Sequence, residues 1–209
     1  MIYEVRTYTL RPGTVAEFEE RFAARLSLRE KHSKLGAFWH TEVGPLNQVI
    51  HVYPYDDLQH RTTVRAALAQ DTARQQLPGG GDLVVAQEAE IMNPAPFMHS
   101  LGSRNYGTGN VYEMRTYTFA PGDISKVLDG WGKAIEAREQ FSPLAACWTS
   151  ELGRLNQFVH TWVYKDLTER ARVREESRKP GGQWPPHTGV RPIRQENKLL
   201  MPAAFSPVR

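Results

Sequence analysis

The segment IYEVRTYTLRPG (2–13) returns as VYEMRTYTFAPG (111–122), and GPLNQVIHVYPYDDL (44–58) returns as GRLNQFVHTWVYKDL (153–167). Tyr3 and Tyr112 stand 109 residues apart, and so do His51 and His160. The copies therefore align without a gap from Tyr3 to Leu58. Near their ends MNPAPF (92–97) matches LMPAAF (200–205) at a spacing of 108, one residue shorter. A sequence written twice folds as two like units that bury their faces against each other. Between them HSLGSRNYGTGN (99–110) has the Gly, Ser and Asn of a linker. The chain divides into repeats at 1–98 and 111–209.

Each repeat has the same order of elements. Tyr3 to Leu10 alternates and is rich in Tyr, Thr and Val, the pattern of a strand. Pro12-Gly13 ends it, and Thr14 with Glu17 has the spacing of a capping box. Val15, Phe18, Phe22 and Leu26 then mark one helical face, matched by Ile124, Val127, Trp131 and Ile135. Strands follow at about 37–43 and 47–53, with Pro54 suggesting an edge, a bulge or an early exit. Asp57 is placed to cap a second helix running to about Gln75. A last strand covers about 83–92. The order βαββαβ is the ferredoxin-like unit, an antiparallel sheet with both helices on one face. Two such sheets packed face to face predict an α+β chain of two tandem ferredoxin-like units forming one pseudo-twofold α/β barrel.

Alternation puts Ile50 and Val52 on one face of the third strand and Asn47, Val49, His51 and Tyr53 on the other. The first strand carries Glu4, Arg6 and Tyr8 on one face, repeated as Glu113, Arg115 and Tyr117. The expectation is that Ile50 and Val52 lie under the helices. The polar set would then line the space between the sheets. A buried Glu or Arg is costly unless paired. Two readings stay open: a satisfied polar network that fixes how the halves dock, or a wet cavity that binds a small molecule. In the second, His51 and His160 are the natural proton carriers.

Other signals exclude more than they suggest. Cys147 is the sole cysteine, which rules out an internal disulfide and a thiolate zinc site. His51 and His160 meeting across the pseudo-twofold would still lack further ligands, so no metal and no cofactor is expected. LPGGGD (77–82) lacks the Lys-Ser/Thr of a P-loop and reads as a turn, as does its counterpart KPGGQWPPHTG (179–189). Net charge is +3, with basic residues interleaved among acids, so a nucleic-acid partner is not expected. No apolar run is long enough to span a bilayer. The opening residues alternate like a strand rather than forming a secretory or Arg-rich leader, which sets the expectation of a cytoplasmic protein. Arg61 and Arg65 recur as Arg170 and Arg174. They either hold an anionic group or, more simply, pair with acids such as Glu42 or Glu151.

The order YEVRTYTLRPG, Trp39, then LNQ-x-x-H and DL-x-x-R-x-x-x-R resembles the NIPSNAP family over both repeats. The second copy resembles it most strongly, with Cys147-Trp148, GRLNQFVHTWVYKDL and RARVR. The resemblance implies a ferredoxin-like, dimeric α/β-barrel fold. That superfamily also holds cofactor-independent monooxygenases, isomerases and cyclases, and the resemblance brings no settled reaction with it. Two functions follow as expectations. In one the barrel binds a small molecule and is an enzyme of monooxygenase or isomerase type. Here His51 and His160 carry protons. Glu4, Arg6, Tyr8, Trp39 and Asn47, with Glu113, Arg115, Tyr117, Trp148 and Asn156, form the ligand site. In the other the chain is a non-catalytic scaffold or interaction module. A small molecule and a further copy of the chain remain open as partners.

Overall fold

The computed structural model describes residues 1–107, 109–179, 181–182 and 184–209. Thr108 of the linker, and Pro180 and Gln183 of the loop at 179–189, lie outside the described residues. The first repeat runs β1 (Ile2–Leu10), α1 (Val15–Glu30), β2 (Ala37–Val43), β3 (Gln48–Tyr55), α2 (Leu58–Gln70), α3 (Thr72–Gln75) and β4 (Val84–Pro94). The second runs β5 (Val111–Thr118), α4 (Ile124–Glu139), β6 (Leu144–Leu152), β7 (Gln157–Tyr164), α5 (Leu167–Glu176) and β8 (Arg194–Pro202). All eight strands close into one barrel in the order β1-β3-β2-β8-β5-β7-β6-β4. Two seams join the halves, β2 with β8 and β4 with β6. Among the described residues no helix is long and apolar enough to cross a membrane.

Local chemistry explains the element ends. Asp57 caps α2 by accepting from the His60 N–H. The expected continuous helix to Gln75 breaks at Asp71, whose extended backbone lets its carboxylate accept from the Arg74 N–H and start α3. The capping box at Thr14 does not form. The Thr14 hydroxyl donates to the Arg11 carbonyl instead, and Glu17 pairs with Arg21. β3 continues through Pro54, which lies opposite Tyr3. Its neighbour β2 pairs with β3 only as far as Ala37 opposite Val52. Pro54 therefore sits on a local edge. In the second repeat Val163 has that place, and its N–H donates to the Pro143 carbonyl.

The middle of the barrel interior is apolar and drawn from both repeats, and towards one end Thr7, Gln48, Thr116, Gln157 and Lys198 line a polar cavity of about 180 Å³. Tyr3, Val5, Trp39, Ile50 and Val52 meet Tyr112, Met114, Trp148, Val159 and Val163. Met98 at the end of the first repeat and linker residues Leu101 and Tyr106 pack against this cluster, which also holds the buried Val208 near the C-terminus. Leu10, Phe38, Val49 and Tyr53 pack instead with Phe18, Val64 and Leu68 of the helices. This reverses the expected phase: Ile50 and Val52 face the interior, while Glu4, Arg6, Tyr8 and His51 lie between sheet and helices. Alternation fixes which residues share a face, and it does not say which face is closed. The middle of the interior is walled on both sides by strands and covered by the linker, so it demands apolar side chains. The helix side opens to water between α1 and the loop before β4 and tolerates charge.

Candidate ligand site of the first repeat

A buried carboxylate organises the helix side of each sheet. Glu4 is fully buried, and its Oε1 accepts from Arg6 Nη1 at 2.8 Å and from Arg61 Nη2 at 2.6 Å, with Arg65 Nη1 at 3.8 Å. Glu113 is held in the same way by Arg115 (3.2 Å), Arg170 (2.7 Å) and Arg174 (3.5 Å). Burial pushes both carboxyls up, and the guanidinium groups outweigh it, leaving them below the usual carboxylate range. The arginine pairs on α2 and α5 thus meet Glu4 and Glu113, not Glu42 or Glu151. Arg29 is also repeated. It lies 4.0 Å over the Tyr53 ring and donates to the Tyr55 hydroxyl, as Arg138 does over Trp162 and to Tyr164. Both repeats keep these contacts, which tie helix to sheet.

The repeats then part. In the first, a cavity of about 370 Å³ opens between the sheet and α1–α3. Phe18, Phe22, Tyr8 and Tyr53 form its apolar walls, and His51 lines it. The His51 ring is 3% exposed, edge-on to Tyr8 at 4.7 Å and stacked on Phe38 at 5.8 Å. Neither Nδ1 nor Nε2 makes a hydrogen bond among the described residues. Leaving a buried polar atom unpaired costs about 1–3 kcal/mol. Burial, and then the charges of Arg6 and Arg29, push its pKa down to about 3, so the ring is neutral, with one donor and one acceptor unused.

Arginines crowd the rim. Arg21 is neutralised by Asp82 at 2.8 Å and by Glu17. Arg25 donates to the Arg74 carbonyl at 2.9 Å, and its Nε is buried without a partner. The Arg74 side chain makes no hydrogen bond or ion pair among the described residues, and burial and then the Arg25 and Arg29 charges hold its pKa below the ordinary value. LPGGGDL (77–83) closes over this rim. A Cβ at Gly80 would stand 2.5 Å from the Phe18 ring, so glycine there lets the loop come this close, and one at Gly79 would stand 2.8 Å from Arg25 Nη1 and push that side chain aside.

In the second repeat tryptophans take the same space. Trp131, in the place of Phe22, lies 4.6 Å from His160 and 4.8 Å from Trp184 of the late loop. His160 Nδ1 accepts from Trp162 Nε1 at 2.8 Å. Gly130 and Ala134 stand where the first repeat has Arg21 and Arg25. Gly130 is there because the late loop lies on it, with His187 O only 2.9 Å from where a Cβ would be.

The expected site residues sort accordingly. Glu4, Arg6, Tyr8 and His51 line the open cavity. Glu113, Arg115, Tyr117 and His160 form its filled counterpart, so the two histidines lie in separate places and do not meet across the pseudo-twofold. Trp39 and Trp148 belong to the barrel interior, away from His51. Asn47 and Asn156 are turn residues. Their φ values are 57° and 58°, the left-handed region Asn tolerates, and their carbonyls accept from Leu10 and Phe119. Sequence reasoning missed Arg21, Arg25 and Arg74. The signal was present: Arg21, Arg25 and Arg29 fall four apart on α1, and only Arg29 is repeated.

A NIPSNAP family model matches residues 3–99 and again 112–207. The chain belongs to the NIPSNAP family. It is 32% identical to human protein NipSnap homolog 3A over 216 residues, covering 100% of this chain and 86% of that protein. Drosophila melanogaster protein NipSnap is 28% identical over 99% of this chain and 78% of its own length. A putative monooxygenase from Lactobacillus acidophilus superposes over 96% of this NIPSNAP chain and 92% of its own, with a TM-score of 0.65 and 11% identity. That likeness is one of fold.

Proposed function

We propose that this NIPSNAP protein binds one anionic small molecule per chain, in the cavity between the sheet and helices of the first repeat. The observation that carries this is a single contrast. One repeat holds a cavity with unneutralised arginines beside a buried His51 with both nitrogens unpaired, while its copy has Ala134 in the place of Arg25, fills the space with tryptophan and gives His160 Nδ1 a hydrogen bond. A cavity of about 370 Å³ is in the range of small-molecule sites. The ligand's anionic end meets the rim guanidinium groups, its apolar body lies on Phe18, Phe22 and Tyr53, and a hydroxyl or carbonyl satisfies His51. An anion here offsets the fields of Arg6 and Arg29 and so raises the basicity of His51 toward a proton-accepting role. The scaffold reading accounts for the Glu4 and Glu113 networks, which hold helix to sheet in both repeats, and leaves the cavity unexplained.

The test uses 8-anilinonaphthalene-1-sulfonate, an anionic aromatic dye, and the neutral N-phenyl-1-naphthylamine. The anionic dye should bind saturably and Arg25→Ala should weaken it by about 10-fold or more, the size of a charge-assisted hydrogen bond. Equal binding of the neutral dye, or no effect of Arg25→Ala, removes the basis for the proposal.

A further inference from the structure

Resting on that reading, we infer that the rim of the first-repeat cavity is a phosphate site, and that the ligand is a phosphate monoester with an apolar body. Side-chain partners decide this rather than net charge, since Glu4 alone meets three arginines and Arg29 meets only neutral groups. The arginines common to both repeats are already used. Arg6, Arg61 and Arg65 share Glu4, and Arg29 is locked by Ser33, Tyr53 and Tyr55. Arg21 has Asp82 and Glu17. That leaves Arg25 and Arg74, both special to this repeat, and neither forms an ion pair among the described residues. The bond from Arg25 Nη2 to the Arg74 carbonyl brings the two residues to one point of the rim. Both side chains line the same cavity, and the Arg25 charge is felt at Arg74, so the two guanidinium groups repel each other and are best satisfied by two negative charges on one group. A phosphate monoester carries about that charge at neutral pH, since its second pKa is about 6. Arginine forks match its oxygens with paired hydrogen bonds. A sulfonate or a single carboxylate brings one charge, and a dicarboxylate spreads two over separated groups. The glycines at 79 and 80 fit the same picture, because they let main chain approach the Arg25 guanidinium and the Phe18 wall with no side chain between.

The experiment is displacement of bound anilinonaphthalene sulfonate from the full chain by phenyl phosphate, benzenesulfonate, phthalate and inorganic phosphate at pH 7.5, with phenyl phosphate and benzenesulfonate repeated at pH 5. Phenyl phosphate should act at a concentration at least about 10-fold below benzenesulfonate, since one added charge-assisted contact is of that size. The preference should collapse at pH 5, where the ester loses its second charge, and in Arg74→Ala. That variant should melt with the parent protein, because the Arg74 side chain has no partner to lose. Equal potency of phenyl phosphate and benzenesulfonate, or a preference that survives Arg74→Ala, overturns the phosphate assignment and leaves the anion site standing. Phthalate as potent as phenyl phosphate overturns it as well. Inorganic phosphate as potent as the ester overturns the monoester. Failure of the dye to bind before any competitor is added counts against the anion site itself, and the phosphate falls with it.

Discussion

His51 and His160 share a place in the repeat, an edge-on tyrosine, a pair of nearby arginines and an unpaired Nε2, and differ in what meets Nδ1 and in what fills the space beside the ring. His160 is tied to Trp162 and packed against Trp131, while His51 faces a cavity with both nitrogens unpaired. Both are held neutral by burial first and by nearby arginines second. The sign of the consequence is fixed. A histidine whose folded pKa lies below its unfolded value of about 6.5 is protonated more readily in the unfolded chain, so stability is complete above that value and falls as pH drops toward 3. Urea unfolding at pH 6.5 and pH 5 should show the parent losing about 1.5 kcal/mol more than His51→Leu, the share of one such histidine. This window lies above the range where Glu4 and Glu113 add acid sensitivity of the same sign. Equal losses in the two proteins would mean that His51 takes up its proton as readily in the folded protein as in the unfolded chain. The types and spacing of these residues were legible in the sequence. Their inward or outward direction was not, because alternation is symmetric and only the closure of the barrel distinguishes the two faces.

At the scale of elements, what geometry requires can be separated from what a ligand would use. The turn before β3 needs a residue in the left-handed region, which is why Asn47 and Asn156 recur. Asn47→Ala should destabilise by about 1 kcal/mol and Asn47→Gly by much less, because only the alanine Cβ clashes there. A chemical-denaturation comparison in which both cost the same would give Asn47 a side-chain role instead. Helix α1 is the opposite case. Its apolar face, Phe18, Phe22 and Leu26, was readable from spacing, and the arginine row beside it was overlooked because arginines on a helix usually signal only a solvated face. Comparing the repeats position by position separates the row into Arg29, which both repeats keep, and Arg25, which only the first has. Arg25→Ala should therefore leave the melting temperature unchanged or slightly raised while weakening anion binding. A large fall in melting temperature would place Arg25 in the scaffold.

At the scale of the molecule the halves are one body. The interior cluster takes side chains from both repeats, and the linker and C-terminus close over it. Neither sheet can expose its inner face without opening the other. Four of the five tryptophans lie in the second repeat, so their fluorescence reports mainly on that half, whereas far-ultraviolet circular dichroism reports on both. Thermal transitions by the two probes should coincide, as for one cooperative unit; two separated midpoints would show repeats that unfold independently. The barrel itself was legible because the repeat forces two like sheets to cover each other. The asymmetry of its two sites was less so, because Trp131 and Trp184 come together only in the fold. Duplication leaves one copy free to become solid while the other keeps its cavity.

That division of labour is tested most directly by a dye titration of three proteins: the parent, Phe22→Trp, which gives the first repeat the ring of the second, and Trp131→Phe, which does the reverse. The parent should bind one anilinonaphthalene sulfonate per chain. Phe22→Trp should weaken binding by at least about 10-fold through loss of apolar space. Trp131→Phe should leave the first-repeat affinity intact. Two dyes per parent chain, or binding undisturbed by Phe22→Trp, would contradict the assignment of the site to the first repeat.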